Sequence, residues 1–162
     1  MLRSLRTFLW TGLAARRLGS CRGRFTANGP CRFTRTTHLG ENIHFNGMEI
    51  QGGGTVTIGD NFHSGPGCLI ITSFHNYDSG RSIPYDDTYI HKDVTIEDNV
   101  WLGSRVIILG GVTIGEGAII QAGAVVVKNI PSLSIAGGNP ANVFKMRDAE
   151  HYHRCKSAKA FH

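Results

Sequence analysis

Acidic residues are absent from the first 40 positions of this 162-residue chain, which hold eight arginines instead. The other nine Lys and Arg stand against twelve Asp and Glu, so +8 is followed by −3 and the net +5 is an N-terminal property. That arginine comes without an aromatic stacking platform or a recognised nucleic-acid motif, which speaks against a nucleic-acid partner. No apolar run approaches the ~20 residues of a membrane span. The four cysteines, Cys21, Cys31, Cys68 and Cys155, have neither metal-binding nor redox spacing. They read as buried thiols in a reducing cytosol rather than as a disulfide framework.

What the chain does have is a six-residue period. From Val94 to Val126 it runs VTIEDN, VWLGSR, VIILGG, VTIGEG, AIIQAG, AVVVKN. Ile96, Leu102, Ile108, Ile114, Ile120 and Val126 recur without a slip. Two positions before each lies Val94, Val100, Val106, Val112, Ala118 or Ala124. Six fits neither a 3.6-residue helix nor a hairpin meander, and short β-branched runs between Gly and Asn argue for strands with corners. Such a period is the signature of a parallel β-helix, each inward side chain stacking on its counterparts about 4.8 Å above and below. The 21 glycines suit corners that need positive φ.

Val56, Ile58, Phe62, Ser64, Cys68 and Ile70 continue the pattern upstream. Phe25, Ala27, Cys31, Phe33, Thr37, Leu39, Ile43 and Phe45 keep it in a shifted register. The run Gly52-Gly53-Gly54 reads as the bulge or corner where that register slips. The polar, turn-rich stretch 72–88 reads as a loop thrown out of the coil. The expected organisation is a basic amphipathic segment 1–24, a β-helix domain 25–143 with that inserted loop, and a C-terminal tail, helix or cap 144–162. In the first segment Leu2, Leu5, Leu9 and Leu13 share one helical stripe beside Phe8, flanked by arginines. The stripe would either pack across the open end of the solenoid or lie on an anionic membrane surface. The first reading is preferred, with peripheral membrane contact through residues 1–20 as an addition, at the inner face of the membrane. A cleaved targeting peptide is a third reading of the same stretch.

TVTIGDN, a loop histidine in ITSFHNYD, then VWLGSRVIILGGVTIGEGAIIQAGAVVVKNIP and AGGNPANVFKMR resemble, in that order, the hexapeptide-repeat acetyltransferases. The likeness is to their maltose and galactoside O-acetyltransferase branch and its surface-polysaccharide relatives, and it spans more than half the chain. It implies an all-β, left-handed parallel β-helix, triangular with three hexads per coil. It also implies a homotrimer with sites between subunits, and an acyltransferase using acetyl-CoA as cosubstrate.

O-acetylation needs a base that takes the alcohol's proton during attack, and a neutral imidazole with an unperturbed pKa of ~6.5 suits that work. Of eight histidines, His151, His153 and His162 lie in the polar C-terminal stretch, while His38, His44, His63 and His91 lie within or beside repeats. Only His75 sits in the long loop. Position alone leaves it either a solvated loop residue or a base, and the resemblance assigns it the catalytic role. By the same resemblance Ser104, Ala122 and Lys128 bind the cosubstrate along with positions Val127 and Asn142; Gly103 reads equally as a cosubstrate contact or a plain corner residue, and Lys145 and Arg147 are the candidates for supplying positive charge. Val127 stands where Thr is usual and Asn142 where Arg is common. Asn46, Tyr77, Asp78 and Trp101 are the acceptor-side candidates. Trp101 reads equally as subunit-interface packing, and Asp78 is the candidate partner of His75.

A zinc-dependent β-helix enzyme of the γ carbonic anhydrase kind would need a second histidine beside His75, where the loop has Gly80 and Arg81, so no metal is expected. The resulting expectation is O-acetylation of a sugar or cell-surface glycan precursor. N-acetylation of an amino sugar nucleotide or xenobiotic amine is the runner-up, and a non-catalytic scaffold the rival from another class.

Overall fold

The computed structural model describes residues 2–162, with side chains from Leu5 onward. After the helix α1 (Leu2–Ala15), the first coil carries β1 (Ser20–Cys21), β2 (Phe25–Ala27) and β3 (Cys31–Arg32). The second carries β4 (Thr37–Leu39), β5 (Ile43–Phe45) and β6 (Met48–Gln51), the third β7 (Val56–Ile58), β8 (His63–Ser64) and β9 (Cys68–Ile71). An arm of β10 (Ser73–His75) and β11 (Tyr89–His91) interrupts the solenoid. The fourth coil resumes with β12 (Val94–Ile96), β13 (Trp101–Leu102) and β14 (Ile107–Leu109). The fifth has β15 (Thr113–Ile114), β16 (Ile119–Ile120) and β17 (Val125–Val126), and the chain closes with β18 (Ser134–Gly137), β19 (Asn142–Met146) and α2 (Ala149–Ser157).

Three faces result, because each strand pairs only with its counterparts one coil up and down. β1, β4, β7, β12 and β15 form the first face, and β3, β6, β9, β14 and β17 the third. β2, β5, β8, β13, β16, β18 and β19 form the second, where β19 alone is antiparallel. The hexad positions fill the interior: Ile96, Leu102, Ile108, Ile114, Ile120 and Val126 are all fully buried. Stacking them removes apolar side chains from water at about 1.5–3 kcal/mol each, which is why single coils do not fold alone. Phe25, Phe33, Phe45 and Phe62 fill the N-terminal coils with ring centroids 5.0–6.4 Å apart.

Corners are built from left-handed residues in columns. Asn42, Asn61 and Asn99 have φ of 55°, 55° and 61°, and the side-chain amides of Asn42 and Asn61 donate to the asparagine one coil on, at 3.0 and 2.9 Å. Asn99 then reaches the Tyr152 hydroxyl of α2 at 2.8 Å, and that hydroxyl donates to Glu116. This is a corner type that asparagine tolerates better than other side chains.

Several boundaries differ from expectation. The first coil begins at β1, which pairs in parallel with β4, so residues 20–24 belong to the solenoid. The break expected after residue 143 falls inside β19, and the excursion expected to end at residue 88 runs on as a strand to His91. The register slip is made in two places. Cys31 and Met48 are partners 17 apart, one short of the 18 between Ile96 and Ile114, and Met48 and Cys68 are 20 apart. One residue is thus dropped at the Asn46-Gly47 corner and two are gained at Gly52–Gly54. At Gly52, φ is 102° and a Cβ would collide with Ser73 and Thr72, so only glycine fits there.

α1 lies across the end of the first coil, but with the opposite face from the one expected. Ala14 is buried and Trp10 packs against the core, while Thr11 Oγ1 accepts the Ala27 amide of edge strand β2 at 2.9 Å. Leu5, Phe8, Leu9 and Leu13 point outward, 48–75% exposed. No described helix is long and apolar enough to cross a membrane. All four cysteines are free, Cys68 is buried, and burial pushes the Cys31 thiol up to about 11.

Candidate active site

The arm leaves the corner between the third and first faces and returns to it. Thr72 anchors its base, the hydroxyl donating to the Gln51 carbonyl at 2.8 Å. Ser73 Oγ lies 2.7 Å from His91 Nδ1. At the tip, the Asp86 carboxylate accepts from the Thr88 hydroxyl and from the amides of Arg81 and Thr88. These bonds, that of Thr88 first, hold its pKa down at about 2. Arg81 is bound to Asp86 and Asp87.

His75, the last residue of β10, is half-buried and faces Tyr89 across the ladder. Tyr85 folds back over its ring with centroids 3.7 Å apart and planes 15° off parallel, and Tyr89 tilts against it at 4.6 Å. Its Nδ1 is buried without a hydrogen-bond partner. Asp78 is therefore not its partner: the carboxylate is exposed in the arm's turn, beside the 65% exposed Tyr77. The two tyrosines that hold the imidazole were missed in the sequence. They lie ten and fourteen residues downstream with no periodicity to betray them, and only the density of aromatics in a polar loop signals them.

The corner between the second and third faces brings Asn46, Gly103, Ser104 and Ala122 into one column. A Cβ on Gly103 would stand 2.5 Å from the Ala122 amide, so this corner stays bare of side chain. The Gly123 amide donates to the Ser104 carbonyl at 2.8 Å, and Asn46 is tied to the Ser64 carbonyl at 2.8 Å. Past β17, Val127 is 45% exposed, and the exposed Lys128 ammonium donates to Asn142 Oδ1 at 3.0 Å. Asn142 thus positions the lysine rather than adding charge. Lys145 lies opposite Ile135 on the second face, exposed. Arg147 is turned away, donating to the Gly117 carbonyl at 2.8 Å and lying 4.9 Å over the Tyr152 ring, so it does not join Lys128.

Trp101 projects from the second face, 55% exposed, in register between His63 and Ile119. It lines a cavity of about 450 Å³ between that face and the C-terminal segment, with His63, His151, Cys155 and Phe161 among the walls. His44, His63 and His162 stack as a column with centroids 4.6 and 5.5 Å apart. Burial, with the neighbouring imidazoles, holds the pKa values of His44 and His63 below the usual range. Sequence reasoning set these histidines aside as repeat or tail residues, since nothing in the hexad pattern says where a chain end folds back.

Hexads closed into three-faced coils with one long arm define a hexapeptide β-helix. The family model of bacterial transferase hexapeptides (six repeats) matches residues 86–128. The chain is 35% identical to the galactoside O-acetyltransferase of Escherichia coli K12 over 119 residues, 71% of this chain and 58% of that one. Against the structure of a maltose O-acetyltransferase from Clostridium difficile 630 it is 30% identical, with TM-score 0.70, covering 85% of this chain and 74% of that one. A galactoside acetyltransferase in complex with coenzyme A matches with TM-score 0.75 and 29% identity, over 87% of this chain and 71% of that one. The chain belongs to the hexapeptide-repeat acetyltransferases, in the maltose and galactoside O-acetyltransferase branch, and its solenoid is their left-handed β-helix. It spans 45–66% of the length of four of the curated relatives it matches and 28–29% of the length of others.

Proposed function

We propose that this protein is an acetyl-CoA-dependent O-acetyltransferase acting on a hydroxyl of a sugar or glycan precursor. The observation that carries the reading is His75, clamped between Tyr85 and Tyr89 on the arm with Nδ1 buried and unpartnered. Acetyl-CoA supplies an acetyl thioester. The bare corner of Gly103, Ser104 and Ala122 suits a pantetheine arm running along backbone amides, and Lys128, steadied by Asn142, suits its phosphates. His75 takes the acceptor hydroxyl's proton as the oxygen attacks the thioester carbonyl, and amides at the coil edge hold the oxyanion. The C–S bond then breaks, and the imidazolium returns the proton to the leaving thiolate. No acyl-enzyme is required.

The working form in this reading is a homotrimer. Leu69, Ile71, Ile107, Leu109 and Val125 make an outward apolar strip on the third face, half-buried in the single chain, with the exposed Val127 at its end. A subunit seated there would lie beside both the arm and the bare corner. The test is free-thiol release from acetyl-CoA across a panel of sugar acceptors, with amino sugars in the same panel. Release with a sugar alcohol that disappears in His75→Ala supports the reading. Release only with amines overturns the O-acetyl assignment, and no acceptor-dependent release from either overturns the enzyme.

A further inference from the structure

The capping helix is apolar on both sides. Its inner side meets the first coil through Trp10 and Ala14. Its outer side carries Leu5, Phe8, Leu9 and Leu13 at 57, 75, 55 and 48% exposure, one turn apart along a single stripe. Gly12 lies within that stripe, four residues from Phe8 and three from Leu9, and a Cβ there would touch nothing within 4 Å. Four large apolar side chains on one face of one helix are far more than scattered surface exposure.

The charge around the stripe says what covers it. Arg6, Arg16, Arg17, Arg22, Arg24, Arg32 and Arg35 are all exposed on α1 and the first coil. Only Arg22 and Arg32 have a carboxylate among the described residues, Asp60 and Glu49. Residues 1–40 contain no acid. A second copy docked through this helix would set one such cluster against another. A groove on a protein partner would need a carboxylate-rich rim around a slot for Phe8. An acidic lipid surface accepts both features at once, the acyl boundary taking the stripe while arginine stems lie along it and their heads reach phosphates.

We propose that the outward face of α1 seats the solenoid, N-terminal end down, on an anionic lipid bilayer. The coil axis then stands off the surface, with the arm and the Trp101 face several rungs above it at about 4.8 Å per rung. This does not depend on the reaction the site performs.

The experiment is co-sedimentation of the full-length protein with vesicles of phosphatidylcholine alone or mixed with phosphatidylglycerol. Binding is expected to the mixed vesicles only, weakening between about 0.1 and 1 M salt as the screening length falls from ~10 to ~3 Å. Phe8→Glu, at a side chain 75% exposed, should lower binding about tenfold or more with an unchanged melting curve. Gly12→Leu fills open space on the stripe and should raise binding severalfold. Sedimentation with neither vesicle overturns the proposal, as does equal binding to both. A solution mass above that of the Phe8→Glu variant, without vesicle binding, assigns the stripe to a second copy. Gly12→Leu leaving binding unchanged removes the stripe from the contact.

Discussion

An imidazole packed against two phenol rings has its orientation restrained by them, and general-base catalysis depends on orientation as well as on pKa. His75→Ala should lower turnover by about 10²-fold or more with folding and CoA binding retained, measured by thiol release and by calorimetry. Tyr85→Ala leaves the base in place but unclamped, so a loss of about tenfold in kcat is expected, smaller than that of His75→Ala. Asp78→Ala should leave the rate unchanged, and a large loss there would return Asp78 to the site. Lys128→Ala should raise the KM for acetyl-CoA severalfold with kcat near native, as expected when a lost contact serves ground state and transition state alike. The position of His75 was legible because it occupies the one segment that breaks the period. Its clamp was not, since stacking across a loop leaves no trace in spacing, and Asn142 could be read only as a missing arginine.

At the scale of elements, the second face and the C-terminal segment are joined by stacked imidazoles. His44 Nε2 donates to Asn42 Oδ1 at 3.0 Å and His63 Nε2 to the His162 carbonyl at 3.3 Å. Their pKa values are lowered, by burial first, so between the unfolded value near 6.5 and the lower folded value the unfolded chain binds more protons. Stability must therefore fall as pH drops below about 6.5 and level off once both states are protonated. Melting temperatures at pH 7.5 and 5.5 check this, and in the double variant His44→Gln, His63→Gln the difference should shrink. The Asp86 knot in the arm behaves oppositely in range: its depressed pKa keeps it closed until pH approaches about 2. The helix α1 shows how far a stripe alone can be trusted. The leucines announced an amphipathic helix correctly, but Trp10, Thr11 and Ala14 made a second usable face, and tertiary packing chose it.

For the whole molecule, most of the architecture was visible because a β-helix repeats one local rule, and each repeat confirms its neighbours. The inward column through Ile96, Ile114 and Ile130 could be drawn as far as Ile114 from the sequence. The slip at Gly52–Gly54 was legible in its glycine run, but the residue dropped at Asn46-Gly47 was not, since one residue lost and two gained look like one irregular tract. Ile114→Ala should cost ~2–5 kcal/mol by denaturant unfolding, from lost burial plus a cavity. Ile114→Asp should not yield folded protein, because its carboxylate would have no partner in the interior.

The closed triangle also restricts how such a chain can change length. Ile58 and Ile96 are register partners although 38 residues apart, against 18 for Ile96 and Ile114, so the arm adds 20 residues without moving any strand to another face. Removing one hexad would turn everything downstream by one face, carrying Trp101 off the side that holds His63. Removing 18 residues would only shorten the rod by one rung, about 4.8 Å. Height and azimuth of the coil residues are thus quantised, while the reach of the arm that carries His75 is continuous. In this scaffold, insertion and deletion at that corner change the arm while leaving every strand on its face.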